Sequence, residues 1–156
     1  MSQFLFPVAS QPLVNFTDAL AQNAATAMNN LLGVPPIFSR RYLIRAIKAT
    51  TKENYGPQLN FFSTAAGNTT DPATNTFLSR WGFLSSMGTQ IGATGLYQYY
   101  VDGLAIPYYD ADTFNTVNPP TLHCILQNIS ATAKSSGADG ETAVTVWLTP
   151  QTAGAY

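Results

Sequence analysis

The 156 residues carry a formal charge of −1, and only 10% are Asp, Glu, Lys or Arg, against 46% hydrophobic residues. A soluble domain ordinarily holds about a quarter charged residues; here 19 Thr and 11 Asn take up much of that share. The hydrophobic content excludes a disordered chain, and so few basic residues argue against nucleic acid as a partner, because phosphates are bound chiefly by clustered Lys and Arg.

Residues 1–16 contain Pro7 and Pro12 among Phe4, Leu5, Phe6 and Val8. That is too apolar for a solvated tail and too broken for a long strand. It reads as an extended arm that lies either on its own domain or on a neighbouring copy. The opening also lacks the basic segment and long apolar run of a secretory signal.

Residues 17–32 predict a helix, because Leu20, Ala24, Met28, Leu31 and Leu32 recur at helical spacing. Asn15 or Thr17 can cap its start, Gly33 suits its end, and Pro35 with Pro36 forbids continuation. The division expected is an arm and helix over 1–36 and a sandwich domain over 37–156.

Beyond the prolines the pattern becomes strands and turns. Residues 42–50 read as a strand, although Arg41, Arg45, Lys48 and Lys52 also fall at helical spacing. With Arg40 these hold five of the seven basic residues within 13 positions. The plain reading is a solvated strand face or a patch complementary to a neighbour. A nucleic-acid reading would draw on Tyr42 and Tyr55 for stacking.

Residues 58–64 form a second strand after Gly56 and Pro57. A polar loop follows over 65–76, then an apolar aromatic stretch over 77–84 and a glycine-rich loop over 85–95. Residues 96–101 and 104–109 read as a hairpin about Asp102 and Gly103. Strands over 121–133 and 142–149 close the chain, joined by a loop of the hairpin kind. In the last strand Val144, Val146 and Leu148 alternate with Ala143, Thr145 and Trp147. The whole predicts a mainly β protein, an antiparallel, jelly-roll-like β-sandwich with an N-terminal extended arm and one short helix.

Candidate chemistry is sparse. One cysteine, Cys124, allows no intrachain disulfide, and with one histidine, His123, it leaves too few ligands for structural zinc. Adjacent strand residues face opposite ways, so His123 and Cys124 do not form a nucleophilic pair; the reading is a buried Cys and an edge or surface His. Asp110, Asp112 and Asn115 could offer oxygens to calcium, but turn chemistry explains Asp110 and Asp112 more simply. No metal and no cofactor are implied. No run of 18 apolar residues exists to span a membrane. A hydrolase would need two acids converging in one pocket, and no spacing favours that.

Tyr97, Tyr99, Tyr100, Tyr108 and Tyr109 make residues 96–109 tyrosine-rich, with Tyr97 and Tyr99 on one face and Tyr100 on the other. They suit a core, a subunit interface or a sugar platform, to which Trp81 and Trp147 could add. The candidate interface residues are Phe4, Phe6, Leu20, Met28, Arg41, Arg45, Tyr97, Tyr99 and Tyr100.

In this layout of arm, helix and Thr-rich sandwich, the chain resembles bacteriophage virion structural proteins. The stretch TLHCILQNISATAKSSGADGETAVTVWLTP is similar to the closing hairpins of capsid-decorating (cement) and single jelly-roll proteins. The resemblance implies a non-enzymatic capsid, decoration or spike subunit, assembled in the host cytoplasm and resident in the virion. Its partners would be copies of itself, a trimer being favoured, and a major capsid or other virion protein. The alternative is a carbohydrate-binding sandwich using Tyr97, Tyr99, Trp81 or Trp147 on a surface glycan.

Overall fold

The computed structural model describes residues 6–12, 25–31, 41–64, 77–111, 121–132, 134 and 141–150. Among them ten strands form two antiparallel sheets: β1 Phe6–Pro12, β2 Ala25–Leu31, β3 Arg41–Thr51, β4 Gln58–Phe62, β5 Phe77–Gly82, β6 Thr89–Ile91, β7 Leu96–Val101, β8 Ile106–Tyr109, β9 Thr121–Gln127 and β10 Ala143–Pro150. The first sheet runs β1-β10-β3-β7-β6, with β8 also on β3; the second runs β2-β9-β4-β5.

The order has a simple logic. The two halves of the chain pair in reverse: β1 with β10, β2 with β9, β3 with β7 and β8, and β4 with β5. Successive pairs lie alternately in the first and second sheet until β4 and β5 close the second. A long antiparallel hairpin wound in this way around two sheets is the jelly roll. The β-sandwich expected from turn spacing is what forms.

The core lies between the sheets and follows the two-residue period of strands. From the first sheet come Ile44, Ile47, Ala49, Tyr99, Val144, Val146 and Leu148; from the second, Leu59, Phe61, Leu122, Cys124 and Leu126. Val144, Val146 and Leu148 share the buried face that their alternation predicts. Residues 42–50 are strand and not helix.

Four expectations are corrected. Residues 25–31, placed in a helix, are strand β2, with seven rungs against β9 from Ala25↔Gln127 to Leu31↔Thr121. Thr26, Asn29 and Asn30 are poor helix formers, and short helices hold only where packing supports them. A seven-residue ladder supplies more. The rest of the predicted helix, Leu20 included, lies outside the described residues.

Residues 6–12 lie on their own domain, one of the two places open to the arm, but as a strand of its sheet, β1 paired with β10. β1 and β2 are therefore members of the two sheets.

Asp102 and Gly103 do not turn a hairpin. β7 and β8 both pair with β3, one after the other, from Thr51↔Tyr97 down to Arg41↔Tyr109. Residues 102–105 bulge out between Val101↔Ile47 and Ile106↔Ile44, with Gly103 at φ 69°. A bulge uses the same positive φ as a tight turn. The Leu104 N–H donates to the Arg45 carbonyl at 3.0 Å, and Arg45 is itself the extra residue of β3 against β10.

Finally, β9 and β10 do not form a hairpin, because they belong to opposite sheets. The segment between them is long enough to cross the roughly 10 Å that separates packed sheets.

At one end of the sandwich Tyr99 ties the β3–β4 connection to the core. Its hydroxyl donates to Asn54 Oδ1 at 2.5 Å and accepts from the Gly56 N–H at 3.2 Å. Its ring lies so near Gly88 that an added Cβ would come within 2.9 Å. Tyr99→Phe keeps the ring and deletes both hydrogen bonds, leaving a buried N–H unpaired. The expected loss is about 2 kcal/mol, read from the urea midpoint.

Candidate interaction surface

The residues singled out from the sequence scatter over the fold. Phe4 and Leu20 lie outside the described residues. The backbones of Phe6 and Met28 sit in register with Leu148 and Cys124. Tyr99 is fully buried and Tyr97 packs half-buried against the core, so neither ring forms an outer platform. Trp81 is half-buried and meets Phe83 edge-on, at 6.2 Å and 76°. Tyr100 is on the other face, as predicted, and is 51% exposed. It meets Trp147 edge-to-face, with ring centres 6.1 Å apart.

The basic cluster does not converge. Arg41 is exposed at the start of β3, opposite Tyr109. Arg45 is at the bulge, where its Nη1 donates to the Leu104 carbonyl at 3.5 Å. Lys48 is between Tyr100 and Thr145 on the outer face, and Lys52 forms an ion pair with Glu141 at 3.0 Å. Along an extended strand of 11 residues, these positions spread over roughly 35 Å, which makes a row of separate charges and no concentrated patch.

His123 corrects the expectation of an edge or surface histidine. It is 3% exposed, its Nε2 lies 3.4 Å from Asp110 Oδ1, and its backbone N–H donates to the Tyr108 hydroxyl at 2.9 Å. Asp110 is likewise buried, not a solvated turn residue. The pair links the end of β8 in the first sheet with β9 in the second. Asp112 and Asn115 lie outside the described residues, and among the described residues no group of three His, Cys, Asp or Glu is placed to hold a metal ion.

β9 is buried on both faces, since His123, Ile125 and Gln127 are as inaccessible as Leu122, Cys124 and Leu126. Beside it a row of amides closes on itself. Gln58 Nε2 donates to Gln127 Oε1 at 3.0 Å and to Asn60 Oδ1 at 3.3 Å. Asn60 Nδ2 donates to Gln127 Oε1 at 3.0 Å, and Arg80 Nε to Asn60 Oδ1 at 3.0 Å. These contacts cross three neighbouring strands. They fix the register of the second sheet, because a slip of one residue would unpair buried amides.

Burial pushes the Cys124 thiol above its ordinary 9.0. Tyr42 is raised to about 12 by burial and then by the charge of Asp110. Tyr55 rises above its ordinary 10.0 by burial, then through Tyr99 and Glu53. In each case the proton leaves more easily from the unfolded chain. Stability from these groups is therefore complete below about pH 9 and falls as pH rises from there through about 12. Urea midpoints measured from pH 7 to 10.5 should decline only above about 9, and Cys124→Ala should delay the onset toward 10.

What the sequence did not reveal is the segment that joins β5 to β7. Phe83 is buried there, and its N–H donates to the Pro57 carbonyl at 3.0 Å. One 3₁₀ turn, Ser85–Met87, and strand β6 follow. Leu84 is 67% exposed, Met87 39% and Ile91 37%. With Tyr100, they are four of the six exposed large hydrophobic side chains among the described residues. All four fall in residues 81–101, which contain no Asp, Glu, Lys or Arg. The glycines of this segment pointed to a flexible or tightly turning loop. The missed signal was Leu84, Met87 and Ile91 in a stretch with no charge.

The segment is held firmly. Gly88 abuts Tyr99 and Asn54, and the turn from β6 to β7 is closed by Thr94, whose hydroxyl donates to the Ile91 carbonyl at 2.6 Å. Apolar side chains presented on a fixed backbone are what a protein contact needs, because little entropy is lost on binding. Among the described residues no helix is long and apolar enough to cross a membrane. No family model matches the chain, and no curated protein or solved structure matches it.

Proposed function

We propose that the chain is a structural subunit of a virus particle of the bacteriophage kind, a capsid, decoration or spike protein. It acts by contact with copies of itself, in the threefold arrangement that the resemblance implies, and with a shell or other virion protein. The observation that carries this reading is the strand order, β1-β10-β3-β7 facing β2-β9-β4-β5, a winding shared by viral capsid and lectin domains. A fold by itself hosts many functions, so the surface is the second support. Exposed apolar side chains on an uncharged, well-held segment favour contact with another protein surface.

The test is quantitative mass spectrometry of density-gradient-purified particles from a host that produces the chain. Many copies per particle, co-sedimenting with the shell, are expected. A chain found only in the soluble fraction would contradict the reading.

Glycan binding is the second reading, and one observation favours it: Tyr100 stands exposed beside Trp147 on the outer face of the first sheet. Tyr99, fully buried, has no part in it. A glycan array on which wild type and Tyr100→Ala give the same signal would sink it.

A further inference from the structure

We propose that copies of this chain meet through the β6 edge of the first sheet, with Met87 and Ile91 of one copy against the same residues of another. This deepens the virion reading and rests on it only for the expectation that copies meet at all.

Three observations converge on that edge. β6 ends the strand order of the first sheet, and Thr89, Gln90 and Ile91 are all exposed. An exposed terminal strand is a template for another strand. The chain carries the complementary element in every copy, since β6 can pair antiparallel with β6 across a two-fold axis. Next to it, Leu84, Met87 and Ile91 give the edge an apolar flank.

Charge identifies the occupant. Around a two-fold axis a residue close to the axis faces its own copy, so a charge there meets a like charge. A patch that faces a different protein gains instead from opposite charges. Residues 81–101 carry none of either sign, which suits self-contact and forgoes what a charged partner would reward. The approach is also open. An added Cβ at Gly92 or Gly95, in the turn after β6, would meet nothing within 4 Å. Such a contact joins copies in pairs, whether or not a threefold contact joins them elsewhere on the surface.

The test uses the full chain and two charged variants, Met87→Lys with Ile91→Lys and Met87→Glu with Ile91→Glu. Met87 is 39% and Ile91 37% exposed, so each variant should stay folded, with a urea midpoint only modestly below that of the wild type. Each alone should weaken self-association roughly 100-fold in sedimentation equilibrium. An equimolar mixture of the two should restore it, since Lys then faces Glu.

A monomeric wild type, variants that associate as the wild type does, or a mixture that fails to recover would each overturn the proposal. If the wild type is still found in purified particles, such a result removes the β6 contact and leaves the virion reading standing. Recovery in the mixture by a chain absent from particles supports the β6 contact and removes the virion reading.

Discussion

Gly56→Ala should destabilise the protein by roughly 4 kcal/mol, close to the whole stability of a marginal domain. Two costs coincide at this position. Its φ is +68°, which L side chains adopt only under strain. An added Cβ would also lie 2.4 Å from the Phe83 carbonyl oxygen and 2.8 Å from the Ser85 nitrogen. Both are backbone atoms of the connection that leads to Leu84 and β6, so neither can swing aside. Gly103→Ala is the control. Its φ is +69°, but nothing lies within 4 Å of the new Cβ, so only the conformational cost of about 1 kcal/mol remains. Equal losses at the two glycines, by urea titration, would show that the contact between the β3–β4 connection and residues 83–85 is not tight.

Phe61→Ala should cost about 4 kcal/mol. Phe61 is fully buried on β4, with Cys124 of β9 on one side and Ser79 of β5 on the other. Removing the ring leaves a cavity between the sheets that surrounding strands, fixed by their ladders, cannot collapse to fill. Leu84→Ala makes the contrast. That side chain is 67% exposed, and its loss should change stability by less than about 0.5 kcal/mol. Its place beside Met87 and Ile91, rather than its own exposure, is what marks it as part of a contact surface.

The parts of this fold legible in the sequence were local. The two-residue alternation of Val144, Val146 and Leu148 placed them together, the same period separated Tyr100 from Tyr97 and Tyr99, and turn signals gave the sandwich. The parts that were not legible depend on which strand pairs with which. Asp102 and Gly103 have the chemistry of a hairpin and of a bulge alike. The choice between them was made by β3, long enough to template β7 and β8 in succession.

Residues 25–31 show the same override. Their apolar spacing fits a helix, while the open side of β9 recruits them as a strand. His123 and Asp110 share no local pattern and meet because β8 and β9 lie in facing sheets.

The candidate surface was legible only in outline. The interface residues drawn from the sequence came from the arm, the predicted helix, the basic row and the tyrosines of residues 97–100. Leu84, Met87 and Ile91 went unmarked because an apolar residue in a loop is as often buried as exposed. Only burial of Phe83 beside them showed which side of the segment faced outward.

The role proposed for this uncharged surface is contact between copies. Light scattering of the full chain, followed up to its solubility limit in physiological salt, tests that most directly. The prediction is a defined, concentration-dependent mass at a small multiple of 16.8 kDa, little affected by added salt because the contact lacks ion pairs. A species that stays at 16.8 kDa throughout would contradict it.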